Sequence, residues 1–321
     1  MEGTAKSFKT LAAQITRGVL KRIQETAGRI RRLEIQGATN IAVSAARALS
    51  QDLLDAGTPG EAARMLEEGV AALVAARDTE PMLRNGLRYM QSHVPRDWSD
   101  RVGFRGAVER ASGEILGLFE ESKRRIVEIG ARRVRDGDTV LTHCHSSVVT
   151  ETLVEAHRQG RRFRVIQTET RPKYQGRITA RELVEAGVDT TMIVDSAARH
   201  FMKEADFVVV GSDAITSEGN VINKIGTSQV ALAADEARIP FYVVTSLLKF
   251  DPVTIHGRYE AIEERDTGEI WDAPPKGLKI RNPAFDVTRR DYIHGVITEE
   301  GIISPHSILD AVHRHYPWIL G

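Results

Sequence analysis

Residues 139–168, TVLTHCHSSVVTETLVEAHRQGRRFRVIQT, run from a short apolar segment through a helical stretch to a second apolar segment. TVLTH (139–143) and RFRVIQT (162–168) are short and β-rich, whereas residues 148–159 carry helical apolar spacing. That is a strand–helix–strand unit, and the alternation continues. Strands are expected at TTMIVD (190–195), DFVVVG (206–211) and PFYVVTS (240–246), with helices near 177–186, 197–204 and 224–238. Continuous apolar strands imply a sheet buried on both faces. The fold class is therefore α/β, with a doubly wound, Rossmann-like parallel sheet. HGVITEEG and SILDAVHRHY add a last short strand and a closing helix. Residues 258–283, rich in Glu, Pro and Lys, are expected as a long surface excursion of the often mobile kind.

Upstream of this alternation the chain reads as helical. Helical spacing marks residues 10–30 and 41–56, and Thr58-Pro59-Gly60-Glu61 has the form of a cap with Pro at the first helical position. The helix that follows runs to about Ala76. A longer one over 105–134 aligns Val108, Ile115, Leu118, Phe119, Ile126 and Ile129, and Asp136-Gly137-Asp138 stops it. Two domains follow: a helical N-terminal domain over 1–135 and a Rossmann-like catalytic domain over 136–321.

The 321 residues carry 44 Lys+Arg against 44 Asp+Glu, and this zero balance argues against nucleic-acid or membrane-surface partners. With 41% apolar and 27% charged residues the chain has material for real cores. No run of about 18 apolar residues occurs. The N-terminus (MEGTAKSFKTLAAQITRGVLKRIQ) lacks the apolar region of a secretory signal and reads as an amphipathic docking helix rather than a transit peptide. A single cysteine, Cys144, excludes an intrachain disulfide and a Cys-cluster zinc site. A cytoplasmic protein is expected.

Ligands of open parallel sheets bind beyond the carboxyl ends of the strands. Four polar groups of residues fall there: Cys144-His145-Ser146-Ser147, Glu169-Thr170-Arg171-Pro172, Gly211-Ser212-Asp213, and Asn223-Lys224-Ile225-Gly226-Thr227 opening a helix. They come from separate stretches and should meet in one crevice. Cys144, at a strand end facing a helix N-terminus, suits a stabilised thiolate, a nucleophile or carbon acid–base; a buried inert thiol is the alternative. In an extended strand His143 and His145 point away from Cys144, so neither a Cys–His pair nor a metal site is expected. Asp213, ending five apolar residues, suits proton donation and recovery, or else caps the turn at 214–219. Asn223-Lys224 beside a helix N-terminus suits an anion such as phosphate. Arg171 offers another phosphate contact or a salt bridge. No G-x-G-x-x-G follows any strand, so nicotinamide and flavin lack support.

At GSDAITSEGNVINKIGTSQVALAADEARIPFYVVTS the chain resembles the family related to translation initiation factor 2B. That family includes regulatory subunits of the factor, methylthioribose-1-phosphate isomerase and archaeal ribose-1,5-bisphosphate isomerase. THCHSS, ETRPKYQGR and NPAFDVT…YIHGVITEEGIISP carry the resemblance independently, and EIQGATN and ARDTEPMLRNGLRY extend it more loosely into the N-terminal half. It implies a Cys and an Asp facing each other across the substrate, here Cys144 and Asp213, a pair that regulatory subunits have no need to keep. ETRP, NKIGT followed by SQ, and SLLKF are most similar to the ribose-1,5-bisphosphate isomerases. The implied reaction is an aldose–ketose isomerisation of α-D-ribose 1,5-bisphosphate to D-ribulose 1,5-bisphosphate through a cis-enediolate-type proton transfer.

The implied substrate contacts are Gln36, Gly37, Ala38, Thr39, Arg77, Ser146, Ser147, Val148, Asn223, Lys224 and Lys249. Such basic groups suit a bisphosphate with up to four negative charges. Gln36 stands where the family usually has Arg, and His145 and Ser147 where an Asn and a Lys are expected; Arg31, Arg32 or Arg84 would be the compensating cations. The resemblance also implies no metal or organic cofactor, a dimer-based homo-oligomer of hexameric form, and a place in archaeal AMP and nucleoside breakdown. Methylthioribose-1-phosphate isomerisation, with an apolar thioether replacing one phosphate, and a non-catalytic regulatory subunit are the alternatives.

Overall fold

The computed structural model describes residues 20–257 and 262–320. The N-terminal docking helix expected before residue 20 lies outside the described residues. The chain forms two compact units, one ending at Glu120 and one beginning at Glu121.

The first unit is helical, as its apolar spacing requires. Helices α1 (Lys21–Arg31) and α2 (Ala38–Asp55) pack together, and Asp52 is buried because it accepts from the Ile23 amide at 3.0 Å and Arg22 Nη1 at 3.1 Å. Helix α3 starts at Pro59–Arg64 with the expected cap: Thr58 Oγ1 accepts from the Glu61 amide at 3.2 Å. A π-helical turn over Met65–Gly69 precedes its last segment, Val70–Val74. Helix α4 (Pro81–His93) buries Leu83, Leu87 and Met90. Helix α5 spans Arg101–Ala131. No helix among the described residues is long and apolar enough to cross a membrane.

The second unit is built on a seven-stranded sheet. Its elements are β1 (Thr139–Thr142), α6 (Ser147–Arg158), β2 (Arg164–Thr168), α7 (Gly176–Glu185), β3 (Asp189–Ile193), the single turn α8 (Ala198–Phe201), β4 (Phe207–Val210), β5 (Ala214–Ile215), β6 (Val221–Lys224), α9 (Thr227–Ala237), β7 (Phe241–Val244), β8 (Phe285–Thr288), β9 (Gly295–Ile297), β10 (Ile302–Ile303) and α10 (Ile308–His315). The strand order is β10-β9-β7-β4-β1-β2-β3, parallel throughout except for β10 against β9. Val140, Val165, Phe207, Val209, Tyr242 and Val244 pack with Val149, Leu153 and Leu183 into one core. The Arg133 guanidinium lies 4.4 Å from the Phe207 ring centroid and 4.9 Å from that of Tyr242.

The chain runs β1→β2→β3 outward in one direction, then returns to the other side of β1 and runs β4→β7→β9 in the opposite one. The winding therefore reverses between β1 and β4, whose register pairs Leu141 with Val208. Loops leaving two adjacent strands at such a reversal go to opposite faces and leave a crevice at the strands' carboxyl ends.

Several expectations need correcting. TTMIVD is not buried on both faces: β3 is an edge strand, with Met192 and Val194 exposed. The helix expected to open at 224 begins at Thr227. Asn223 and Lys224 belong to β6, in a separate antiparallel sheet of order β5-β6-β8. That small sheet has no counterpart among the expected elements. From residue 262 onward, the expected excursion is tied down by Arg265–Glu269 at 2.7 Å, Lys173–Glu269 at 3.6 Å and Arg171 Nη2 to the Ile270 carbonyl at 3.3 Å.

Asp286, on β8, holds the start of α9. Its carboxylate accepts from the Gly226 amide at 2.8 Å, the Ser228 amide at 3.1 Å and the Ser228 hydroxyl at 2.8 Å. It replaces a local N-cap, which Gly226, in the left-handed region at φ +103°, cannot supply. Asp286→Ala is expected to destabilise the protein by about 1 kcal/mol, the usual size of a lost cap; urea denaturation of both proteins measures it.

Candidate active site

β1 ends at Thr142, and the next residues turn rather than extend. Cys144 has φ +69°, in the left-handed region, so the alternation expected for a strand does not apply. The turn is held from two sides. The Cys144 amide donates to Thr170 Oγ1 at 3.0 Å, and its carbonyl accepts from Gln167 Nε2 at 3.0 Å and Thr179 Oγ1 at 3.3 Å. A non-glycine residue persists in this conformation when its surroundings fix it so closely.

Burial pushes the Cys144 thiol up to about 11, against the pull of the Lys224 ammonium towards the thiolate; the Asp213 charge adds to the rise. The sequence suggested a stabilised thiolate; burial at this position favours the neutral thiol instead. Charge interactions nonetheless join Cys144, Lys224 and Asp213 in one site.

Asp213 follows β4 directly across the reversal from Cys144. Its amide donates to the Ile222 carbonyl at 2.8 Å, and its half-buried carboxylate has no hydrogen bond or ion pair among the described residues. It is not a cap for the turn at 214–219. Gly211, two residues earlier, lets the β4 loop approach the β1 loop, since a Cβ there would lie 2.6 Å from Ser146 Oγ. Ser212 Oγ is 2.5 Å from Thr245 Oγ1, and the buried Lys249 Nζ donates to the Ser212 carbonyl at 2.5 Å. Lys249 is thus no surface lysine. Its turn (Leu247–Lys249) is anchored by the buried Glu299, which accepts from the Leu247 amide at 3.1 Å, Ser246 Oγ at 3.1 Å and the Tyr316 hydroxyl at 2.9 Å. Burial, with the Glu299 charge beside it, pushes the Tyr316 hydroxyl well up.

The two helix N-termini near the crevice differ. That of α9 is occupied by Asp286, which removes the expected phosphate site there. That of α6 has Ser146 as N-cap with no side-chain capping bond, and Ser147 exposed beside it, so no side chain of its own caps its first amides. Lys224 Nζ lies 4.8 Å from the Phe285 ring centroid and has no carboxylate partner among the described residues. No group of three or more His, Cys, Asp or Glu among the described residues is placed to hold a metal ion.

A family model for the initiation factor 2 subunit family matches residues 34–305. The chain belongs to that family. It is 43% identical over 290 residues to ribose 1,5-bisphosphate isomerase of Archaeoglobus fulgidus, covering 89% of this chain and 91% of that protein. It is 41% identical to the protein of the same name from Methanocaldococcus jannaschii, covering 92% and 96%. A crystal structure of translation initiation factor eIF-2B from Pyrococcus horikoshii superposes with a TM-score of 0.78 at 34% identity, covering 88% and 97%.

Of the residues singled out from the sequence of this initiation factor 2 subunit family member, Cys144, Ser146, Ser147, Val148, Asp213, Asn223, Lys224 and Lys249 lie in the second unit: Cys144 and Asp213 on the loops after β1 and β4, Ser146, Ser147 and Val148 at the start of α6, Asn223 and Lys224 on β6, and Lys249 in the turn after β7. Asn223 is buried and donates to Thr227 Oγ1 at 3.0 Å. The others lie in the first unit. Gly37, at φ +83°, is the N-cap of α2; exposed Gln36 donates to the Leu33 carbonyl at 2.9 Å; Ala38 is buried; Thr39 Oγ1 is 3.7 Å from Met82 Sδ. Arg77 Nε is 3.2 Å from the buried Glu80 carboxylate. The exposed Arg171 guanidinium donates to the Tyr174 hydroxyl at 2.7 Å and to the Ile270 carbonyl at 3.3 Å, and the salt bridge expected as its alternative role is not formed among the described residues. His143 was weighed only as a partner of Cys144 or a metal ligand, and Asp195, Asp286 and Glu299 drew no attention in the sequence; a lone acid after a short apolar run was the only signal for Asp195, which accepts from the Thr170 amide at 2.7 Å and the Arg171 amide at 2.6 Å.

Cys144 alkylation should be slow at pH 7.5 and rise steeply towards pH 11, as the single thiol titrates; a profile with its midpoint near 8.5 would contradict its burial. Gly211→Ala, which pushes Ser146 out of place, is expected to lower kcat/KM by about 10²-fold with the fold retained.

Proposed function

We propose that this protein is a ribose 1,5-bisphosphate isomerase, converting α-D-ribose 1,5-bisphosphate to D-ribulose 1,5-bisphosphate. The observation that carries this reading is the pair Cys144 and Asp213 on adjacent loops at the winding reversal, with the Asp213 carboxylate unpartnered among the described residues. The names of the similar archaeal proteins support the substrate.

In the reaction proposed, Asp213 as the acid gives a proton to the ring oxygen, and the bond from that oxygen to C1 breaks. Cys144 as thiolate takes the proton from C2, leaving a cis-enediol. Asp213 then recovers a proton from the C2 hydroxyl while Cys144 returns its proton to C1, giving the C2 ketone. The cycle needs one proton shared by the pair, on Asp213 at the start. The preference of the buried Cys144 for the neutral thiol is compatible with this, because passing its proton to the Asp213 carboxylate creates both reactive forms without exchange with solvent. Lys224 favours that transfer by stabilising the thiolate. The open N-terminus of α6 with Ser146, Ser147 and Val148 takes one phosphate, and Asn223, Lys224 and Lys249 serve the sugar and its second phosphate. Gln36, Gly37, Ala38, Thr39 and Arg77 are proposed as further substrate residues on the family resemblance. We also infer a cytoplasmic homo-oligomer of dimers, a hexamer, acting in AMP breakdown; light scattering tests it, with six copies of 35.6 kDa expected.

Incubation with α-D-ribose 1,5-bisphosphate and a coupled carboxylase is expected to yield product, with Cys144→Ala and Asp213→Asn each lowering kcat by about 10²–10⁴-fold. No product from folded protein, with turnover of methylthioribose 1-phosphate instead, would replace this substrate. Silence on both would leave the regulatory subunit.

A further inference from the structure

His143 is the one buried side chain of the β1 loop that the proposed reaction does not use. Its ring is 3% exposed and bonded at both nitrogens: Nδ1 is 2.6 Å from Thr168 Oγ1 on β2, and Nε2 is 2.9 Å from the Ile225 carbonyl. A carbonyl only accepts, so Nε2 carries a proton and donates it. Burial pushes the imidazole below its ordinary value, keeping it neutral, so Nδ1 accepts from the Thr168 hydroxyl. The charged groups around it are Asp195 after β3, with Oδ1 3.9 Å from Nδ1, Asp286 on β8, and Lys224 on β6.

Ile225 sits in the turn between β6 and α9, immediately after Lys224. Its amide is bonded to the Ala284 carbonyl at 3.0 Å, and the next amide, of Gly226, to Asp286. Both bonds lead to β8 and the segment before it, within the small sheet. The bond from His143 to the Ile225 carbonyl instead ties this turn to the end of β1, next to Cys144. A Cβ on Gly226 would lie 3.1 Å from the ring, so the glycine leaves the room the imidazole occupies.

We propose that His143 is a positioning residue that holds the Lys224 ammonium in register with the Cys144 sulfur, by bridging the end of β1 to the β6–α9 turn. It thereby sets how readily the thiol becomes the base. This deepens the isomerase reading and rests on it, but its effect on Cys144 exists without substrate.

Because Cys144 is the single cysteine, its alkylation by iodoacetamide as a function of pH reads the thiol directly. Lys224→Met should move the profile to higher pH, slowing alkylation below its midpoint by about tenfold. His143→Asn, too short to reach Ile225, should do nearly the same, and the double variant no more than either. His143→Gln, whose amide nitrogen can reach the carbonyl, should stay within about threefold of wild type, as a general packing role would not. Thr168→Val, which removes the hydroxyl fixing Nδ1, should shift the profile in the same direction and serves if His143→Asn does not fold. An unchanged profile in folded His143→Asn or in Thr168→Val, or shifts that add in the double variant, would overturn the proposal. The expected alkylation shifts in a protein that turns over no pentose phosphate would instead uphold the positioning and sink the isomerase reading.

Discussion

Everything in the second unit follows from the reversal of winding between β1 and β4. Two adjacent parallel strands end side by side there, and their loops depart to opposite faces of the sheet. Two side chains carried on those loops can then face one another while each loop keeps its own support. Those two loops carry Cys144 and Asp213, and the missing Cβ of Gly211 sets how near the loops come.

A crevice of this kind is lined by backbone that the sheet no longer pairs, and each buried polar group there must find a partner elsewhere. Side chains supply them. Thr170 takes the Cys144 amide, Asp195 the Thr170 and Arg171 amides, Asp286 the start of α9, Glu299 the turn bearing Lys249, and His143 the Ile225 carbonyl. These bonds join segments 24 to 82 residues apart, so the loops are fixed to the strands and to one another rather than to themselves. Such a shell gives the site its precision.

The chemistry depends on a conflict that this shell maintains. Burial drives Cys144 towards the neutral thiol, and Lys224 draws it towards the thiolate. A fully solvated cysteine would ionise more easily but would leave water beside a carbanion-like intermediate. In the proposed reaction the Asp213 carboxylate, which has no hydrogen bond or ion pair among the described residues, relieves the conflict by taking the thiol proton.

Much of this was legible in the sequence because it is local. The change of apolar period after residue 138 marks the α/β unit, the cap at Thr58-Pro59 marks a helix start, and polar residues after apolar runs mark the strand ends. What was not legible depends on partners remote in the chain. The β5-β6-β8 sheet has strands of two to four residues, too short to show a period, and β6 pairs with β8 more than 60 residues later. Asn223 and Lys224 therefore read as a helix start until that pairing is seen. Asp286 occupies the α9 terminus from the same distance, which cancels a local signal for phosphate binding. The left-handed backbone at Cys144 is imposed by contacts from Gln167, Thr170 and Thr179, and the height of its thiol by burial. The chain by itself determined the periodicity, the crevice chemistry and the family resemblance. Which charges meet, which termini are open and which proton sits where were decided only by tertiary structure, because burial and electrostatics act through space and not along the sequence.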